Sequence, residues 1–461
     1  MKCVGLITIA LLYTQLFLAQ QWNLHENLAP DDRKKQDYFG CDVSVYHEQA
    51  IVGAYYNNTD AGGFADLTNA GAAYVYEWNS ATGNWEQQQK LVASTRSVKA
   101  YFGKSVSVHT NVALVGAPGT QAPNTGQGTK DEAGAAYIFQ KQLDGSWIEV
   151  AELLPPVRHE NAEFGNAVAI DPPYALVGAF QDGYDEVDSN KFHFAGAAYL
   201  YKKDGNGQWN FHQKLVANDR FVIANFGESL DIENDLLAIG SPKEGLDSNG
   251  LSSIGAGAVY LFEPDIHHEW KQTEKLVSED RKEAMNFGSS VKLDGDQMII
   301  GAKNNEWNEA GDSAIRFSGA AYILEKNTSG NWHVAQKLTA LNRNVKDNFG
   351  DKVDISGNTC VIGARERETD ANSEHRLIDA GSAYVFVKQT TGKWEEQHNV
   401  FPLDRQAHDR FGYAVAMNDN YIFASCFGDD GVELGLDSLL GAGSIYVYKT
   451  SAPVGISDVD N

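Results

Sequence analysis

Phe-Gly pairs recur along this chain at a nearly constant interval, and that interval restricts the fold more than any other feature. The pairs begin at Phe39, Phe102, Phe164, Phe226, Phe287, Phe349 and Phe411, spaced by 61 to 63 residues. Fourteen residues after each Phe stands a small pair: Gly53-Ala54, Gly116-Ala117, Gly178-Ala179, Gly240-Ser241, Gly301-Ala302, Gly363-Ala364 and Ser425-Cys426. A second small-residue turn then opens an aromatic run, as in Ala70-Gly71-Ala72-Ala73-Tyr74. A Trp follows at Trp85, Trp147, Trp209, Trp270, Trp332 and Trp394, each 17 residues before the next Phe-Gly. A fixed period of this length marks a propeller or a solenoid.

Each unit reads as four short strands. The first alternates, as in Ser105-Val106-Ser107-Val108, and the second is apolar, as in Met298-Ile299-Ile300. Tight turns such as Asp294-Gly295 and Ser356-Gly357-Asn358 join them. The third strand is aromatic (Tyr137-Ile138-Phe139), and a turn such as Asp204-Gly205-Asn206-Gly207 leads to the fourth, Trp209 to Val216. No segment after residue 20 shows helical periodicity. Four antiparallel strands per unit make a propeller blade, so the expected fold is all-β: a seven-bladed β-propeller over residues 21–450. The Gly-Ala pairs suit places where neighbouring sheets approach closely, with the Phe of Phe-Gly as the plug between them.

The ends of the chain predict how the ring closes. The seventh unit stops after Tyr446-Val447-Tyr448 without a Trp strand. Trp22, however, lies 17 residues before Phe39, and Leu28 follows it by six as Leu91 follows Trp85. The N-terminal strand should therefore complete the blade begun by residues 411–448, which removes two open sheet edges.

The Phe-Gly … Gly-Ala(-Pro) pattern, complete at Gly116-Ala117-Pro118, resembles the FG-GAP repeats of integrin α-subunit heads and of many secreted bacterial proteins. The likeness spans roughly residues 22–448. It is nearest the bacterial type, whose fourth strand carries a Trp and ends in Lys-Leu, as at Lys90-Leu91, Lys214-Leu215, Lys275-Leu276 and Lys337-Leu338. The resemblance implies a seven-bladed propeller serving adhesion or binding outside the cell. The integrin-like version carries an Asp-x-Asp-x-Asp-Gly calcium loop between its first two strands. Here that link is a bare turn (His47-Glu48-Gln49, Asp171-Pro172-Pro173), too short to wrap an ion with six or more oxygens.

Composition narrows the partners. A formal net charge of −25 argues against nucleic acid, which needs clustered Lys and Arg, and keeps a large body soluble. Residues 1–20 read as a secretory signal: Lys2, an apolar core from Val4 to Leu18, and Leu18-Ala19-Gln20 as the exit before Gln21. Thr14 and Gln15 interrupt that core short of the ~20 apolar residues of a membrane span. The mature protein is expected to be secreted (extracellular, periplasmic or cell-surface associated) and monomeric, with residues 451–461 a polar tail. Cys3 leaves with the signal. Cys41, Cys360 and Cys426 remain, and their odd number implies no disulfide scaffold. In a ring Cys41 and Cys426 are neighbours, open either to a bridge or to life as buried free thiols.

Candidate functional residues fall on the face carrying the longer connections. The seven loops between second and third strands hold 22 Asp and Glu against 8 Lys and Arg. Asp recurs there at Asp60, Asp185, Asp247 and Asp370, either as a turn former or as part of a cation or polyol site. Asp182, Asp185 and Asp188, with Asp429 and Asp430, are the candidate metal ligands, and calcium the candidate ion. An arginine stands six residues before every Phe-Gly: Arg33, Arg96, Arg158, Arg220, Arg281, Arg343 and Arg405. No Lys takes that position although the chain has more Lys than Arg, so the planar guanidinium itself is required. It could brace one blade to the next through carbonyls or an aromatic face, or form a ring that clamps carboxylate or sulfate groups. Tyr55, Tyr56, Tyr184 and Trp307 are read as exposed loop-tip aromatics able to stack on sugars. The chain has no His-Glu-x-x-His, Gly-x-Ser-x-Gly or phosphate-binding loop. The expected function is a non-catalytic module binding an extracellular protein or glycan. A polysaccharide lyase or hydrolase, and a structural scaffold, are the alternatives.

Overall fold

Strand residues here are buried on both sides, because each sheet is sandwiched between two others. The computed structural model describes residues 21–451 apart from 65, 122–130, 247–252, 369–375, 403 and 431–438. The expected signal segment with Cys3, the recurrent Asp247 and Asp370, and the tail beyond 451 lie outside these residues. The first blade comprises Val43–Tyr46, Gln49–Ala54, Ala72–Asn79 and Asn84–Leu91, ordered from the channel outward and antiparallel throughout. Six blades are built in chain order from four consecutive strands.

The seventh differs as its sequence requires. Phe411–Met417, Tyr421–Cys426 and Ser444–Ser451 supply three strands, and Gln21–Leu28 adds the outermost. Trp22 pairs with Thr450 and Leu28 with Ile445 in an antiparallel register. The sheet edge of the last unit is thereby covered by the first residues of the described chain.

Seven apolar clusters hold the ring, one per blade interface. One gathers Val52, Tyr74 and Trp85 of the first blade with Ala416, Phe423 and Val447 of the seventh. The next gathers Ile51 and Val75 of the first blade with Val115 and Tyr137 of the second. Adjacent residues of one strand thus serve opposite interfaces, the period-two rule with both faces dry. Each Phe of a Phe-Gly pair is buried edge-on against the aromatic strand of its own blade; Phe39 meets Tyr74 at 5.5 Å and Tyr76 at 6.1 Å. The Gly-Ala pairs have a stricter reason. A Cβ built on Gly116 would lie 1.9 Å from the carbonyl oxygen of Gly165 in the next blade, so backbone meets backbone there.

Candidate binding face

The inner strands line a polar channel of about 250 Å³. Their free edges are satisfied from the neighbouring blade. The Val106 N–H donates to Asp42 (2.9 Å), Val108 to Ser44 (3.1 Å), Val168 to Ser105 and Ile170 to Ser107 (3.2 Å each). Leu293 and Met417 donate to Asp231 (2.8 Å) and Asp354 (2.7 Å). Short oxygen-bearing side chains at alternate positions therefore replace the missing strand partner. Lys292 pairs with Asp231 at 3.1 Å, and burial pushes the Asp354 carboxyl up to about 6, opposed by Lys292.

On the long-loop face, each of the seven arginines leaves a blade and reaches back to that blade's own loop. Arg96 donates to Asn58 O (2.8 Å), Arg158 to Gly134 O (2.7 Å) and Thr120 O (3.4 Å), Arg220 to Gly183 O (2.5 Å) and Asn190 O (3.3 Å). Arg281 adds Glu244 (2.6 Å) to Gly257 O (2.5 Å). Arg343 holds Glu306 O (2.6 Å), Arg405 the Gly381 carbonyl and Ser382 Oγ (2.9 Å), and Arg33 Gly443 O (3.5 Å). In Arg220, Arg281 and Arg343 the two terminal nitrogens reach different acceptors, which suits a planar fork and not an ammonium.

The residue before these arginines reveals a network that the sequence pattern conceals. Asp32, Asp219 and Asp280 each accept from a third-strand tyrosine and a fourth-strand lysine. The distances are Tyr74 2.8 and Lys90 2.6 Å, Tyr260 2.8 and Lys275 2.6 Å, and Tyr322 2.7 and Lys337 2.6 Å. The lysines are those of the Lys-Leu dipeptides. Acids occupy this position in only four repeats, so a search for an acid recurring in all seven passes over it.

Where Val157 replaces the acid, the candidate metal residues take its place. Asp182 accepts from Tyr199 (2.5 Å) and pairs with Lys214 (3.0 Å), which also pairs with Asp188 (2.7 Å); His159 lies 3.1 Å from Asp188. Asp185 accepts from Ser189 N (2.7 Å) and Asn190 Nδ2 (2.8 Å), contacts that hold its carboxyl well below the usual range. Asp429 accepts from Ser444 Oγ (2.5 Å) and Asp430 from Gly441 N (3.0 Å). Among the described residues, no group of three or more His, Cys, Asp and Glu is gathered to hold a metal ion. Asp60 caps Gly62 and Phe64 at 3.0 and 2.9 Å, a turn former's role. Cys41, Cys360 and Cys426 are buried free thiols.

The loop aromatics are half-buried, not exposed at tips as the sequence suggests. Tyr184 stacks on His159 (4.0 Å) with Lys191 over its ring, and Lys282 covers Trp307 at 3.3 Å. Tyr55 and Tyr56 belong instead to a continuous aromatic group at the channel mouth. Tyr413 stacks on Phe427 (4.1 Å), Phe427 on Tyr38 (4.6 Å), and Tyr38 meets Tyr56 edge-on (5.4 Å). Tyr56 in turn touches Tyr55 (4.2 Å) and Tyr101 (5.6 Å). These rings come from the seventh, first and second repeats and sit over the seam. Beside them, Arg365 lies 5.1 Å over the Tyr413 ring, and Asp351 bridges Arg365 and Lys303, both at 2.9 Å. Rings and charged groups thus gather at one part of the mouth, which breaks the sevenfold repetition.

A closed seven-bladed β-propeller with one elaborated face is the class these features define. Its particular family follows from the repeat itself: residues 22–76, 85–139, 147–201, 209–262, 270–324, 332–386 and 394–448 each match the FG-GAP repeat model, and the chain belongs to that family. Each matched unit starts at its Trp strand, one strand out of phase with the blades, as the closing clasp requires. Comparison with curated proteins gives no match. Among the described residues no helix is long and apolar enough to cross a membrane.

Proposed function

We propose that this protein is a non-catalytic binding module, exported from the cell, which engages an extracellular protein or glycan through the long-loop face. The observation that carries this reading is the aromatic group at the channel mouth. Repetition alone explains struts, plugs and blade interfaces, but nothing in the repeat calls for Tyr38, Tyr55, Tyr56, Tyr101, Tyr413 and Phe427 to meet at one place. Partly exposed aromatic surface on a rigid scaffold is the usual substance of a recognition site. The arginines act here as braces that fix the loops, their terminal nitrogens donating to loop oxygens. Candidate calcium ligands Asp182 and Asp188 share Lys214, so calcium entering there must displace an ammonium group. Export rests on the signal-like residues 1–20.

A screen of immobilised glycans and matrix proteins, run with calcium and with chelator, tests the proposal. Saturable binding that is lost on mutating the mouth supports it; no binding to either class overturns it. One observation favours an enzyme instead. Glu163, near the mouth, is pushed up to about 7 by burial, with Glu132 and Glu228 adding to the effect, the kind of shift seen at acid–base sites. Release of new reducing ends from a bound polysaccharide would move the assignment to that class.

A further inference from the structure

Tyr55, Tyr56 and Tyr101 of the aromatic group also line a cleft of about 270 Å³, opening beside the channel mouth between the first, second and third repeats. We propose that this cleft binds a single neutral pyranose ring, with Tyr56 and Tyr101 against its apolar face and Lys104, Glu163 and Asn166 on its hydroxyls. The inference rests on the binding-module reading and narrows it to one ligand class at one place.

The two walls differ in chemistry, and a sugar differs in the same way from face to edge. Tyr55 and Tyr56 are inclined at 39° to one another, with Tyr101 5.6 Å from Tyr56, giving a wall of ring surface. Tyr101 is held in place by Gly119, where a Cβ would come within 2.6 Å of its ring. The same cleft is lined by donors on Lys104 and Asn166 and by carboxylates of Glu132 and Glu163. Lys104 rests its ammonium 4.7 Å above the Tyr55 ring, and among the described residues no carboxylate forms an ion pair with it. Glu163 already accepts from Gln181 Nε2, but a wholly apolar ligand would bury the Lys104 ammonium without a carboxylate partner, at a cost of a few kcal/mol. Hydroxyls both donate and accept, and so suit both kinds of group.

Charge and size set the class. The loops around the cleft are strongly acidic, which repels sulfated and uronic chains, while a small cation would confront the Lys104 ammonium. Lys104 opposes a cation while Glu132 and Glu163 oppose an anion, so the cleft asks for a ligand without charge. The volume lies just under the roughly 300–1,000 Å³ of pockets that enclose drug-sized molecules. One ring fits, with any remaining chain leading into solvent.

The test is titration of the full chain, by ligand-observed NMR, with the methyl pyranosides of glucose, galactose and mannose, alongside glucuronate and a sulfated disaccharide. At least one neutral pyranoside should bind, and both anions should bind more weakly. Tyr56→Ala and the isosteric Glu163→Gln should each weaken it by about tenfold, or 1.4 kcal/mol, with melting curves confirming the fold. Three silent neutral sugars, tighter anion binding, or an affinity untouched by both variants would overturn the assignment. A ligand from the matrix and glycan screen that ignores both variants removes the cleft but keeps the binding module. A screen with no ligand at all removes both.

Discussion

Trp22 lies beside Thr450 in one antiparallel sheet, and the same Trp is buried in the interface that holds Tyr446 and Tyr448. The first strand therefore serves as the outer edge of the last blade and as part of its core. Deleting residues 22–30 should expose the edge of Ser444–Ser451 and give an aggregating or unfolded protein by size exclusion and thermal melting. Trp22→Ala, which keeps the backbone pairing, should cost about 3–5 kcal/mol. A truncated chain that stays monomeric with an unchanged melting temperature would refute closure.

Arg158 bridges Gly134 O and Thr120 O. Both bonds come from Nη2, so Arg158→Lys keeps the charge but not the rigid planar head that holds this nitrogen in place, and should lose about 1–2 kcal/mol in chemical denaturation while ligand binding persists. Full stability with abolished binding would make the arginine a ligand contact instead.

The backbone contact between Gly116 and Gly165 leaves no room for a methyl group. Gly116→Ala should cost about 1–3 kcal/mol or more, since two backbones must part. Gly205→Ala, in an open turn where a new Cβ meets nothing within 4 Å, should change stability by less than about 0.5 kcal/mol. Equal effects would mean that the sheets are not in backbone contact.

Burial raises the carboxyls of Asp37 and Asp347 to about 6 and that of Asp409 to about 7, the last helped by Asp429 and Asp430. A folded-state value above the unfolded one means that the native protein binds protons more tightly. Their contribution is thus fully present below about pH 4 and is lost as the pH rises through 6 to 7. Melting temperature should fall between pH 5 and 8. Asp409→Asn should flatten that slope, because Asn can still accept from the Gln406 N–H. A variant with the wild-type slope would place the titration elsewhere.

Calcium provides a sharp comparison. An ion bound at a hundred times its dissociation constant adds about 2.7 kcal/mol. With Lys214 already between Asp182 and Asp188, millimolar calcium should leave the melting curve of the protein unmoved. A rise of several degrees, reversed by chelator, would assign these acids to a metal site.

The ring was legible because its determinants sit at fixed offsets within each repeat. Trp22 to Phe39 repeats the spacing of Trp85 to Phe102, so closure could be read before any contact was known. The Gly-Ala pairs and the arginines were legible for the same reason. The mouth was not. Tyr38, Tyr101, Tyr413 and Phe427 hold unremarkable places in three different repeats, and only closure brings Phe427 within 4.6 Å of Tyr38. Lys104 was hidden similarly: the equivalent position is Cys41 in the first repeat and Asn166 in the third. Tyr184 and Trp307 failed as tip aromatics because neighbouring His159 and Lys282 cover them, a proximity that spacing cannot express.

The clasp also fixes stoichiometry. A solenoid can gain a module at its end and remain stable, because each addition asks only for one more neighbour. In this wheel the terminal strand already belongs to its opposite number, so an eighth sector could enter only by reopening a junction and changing the wedge angle at all the others. Variation is therefore channelled into the rims of the sectors, where loops can be rewritten without altering how many there are.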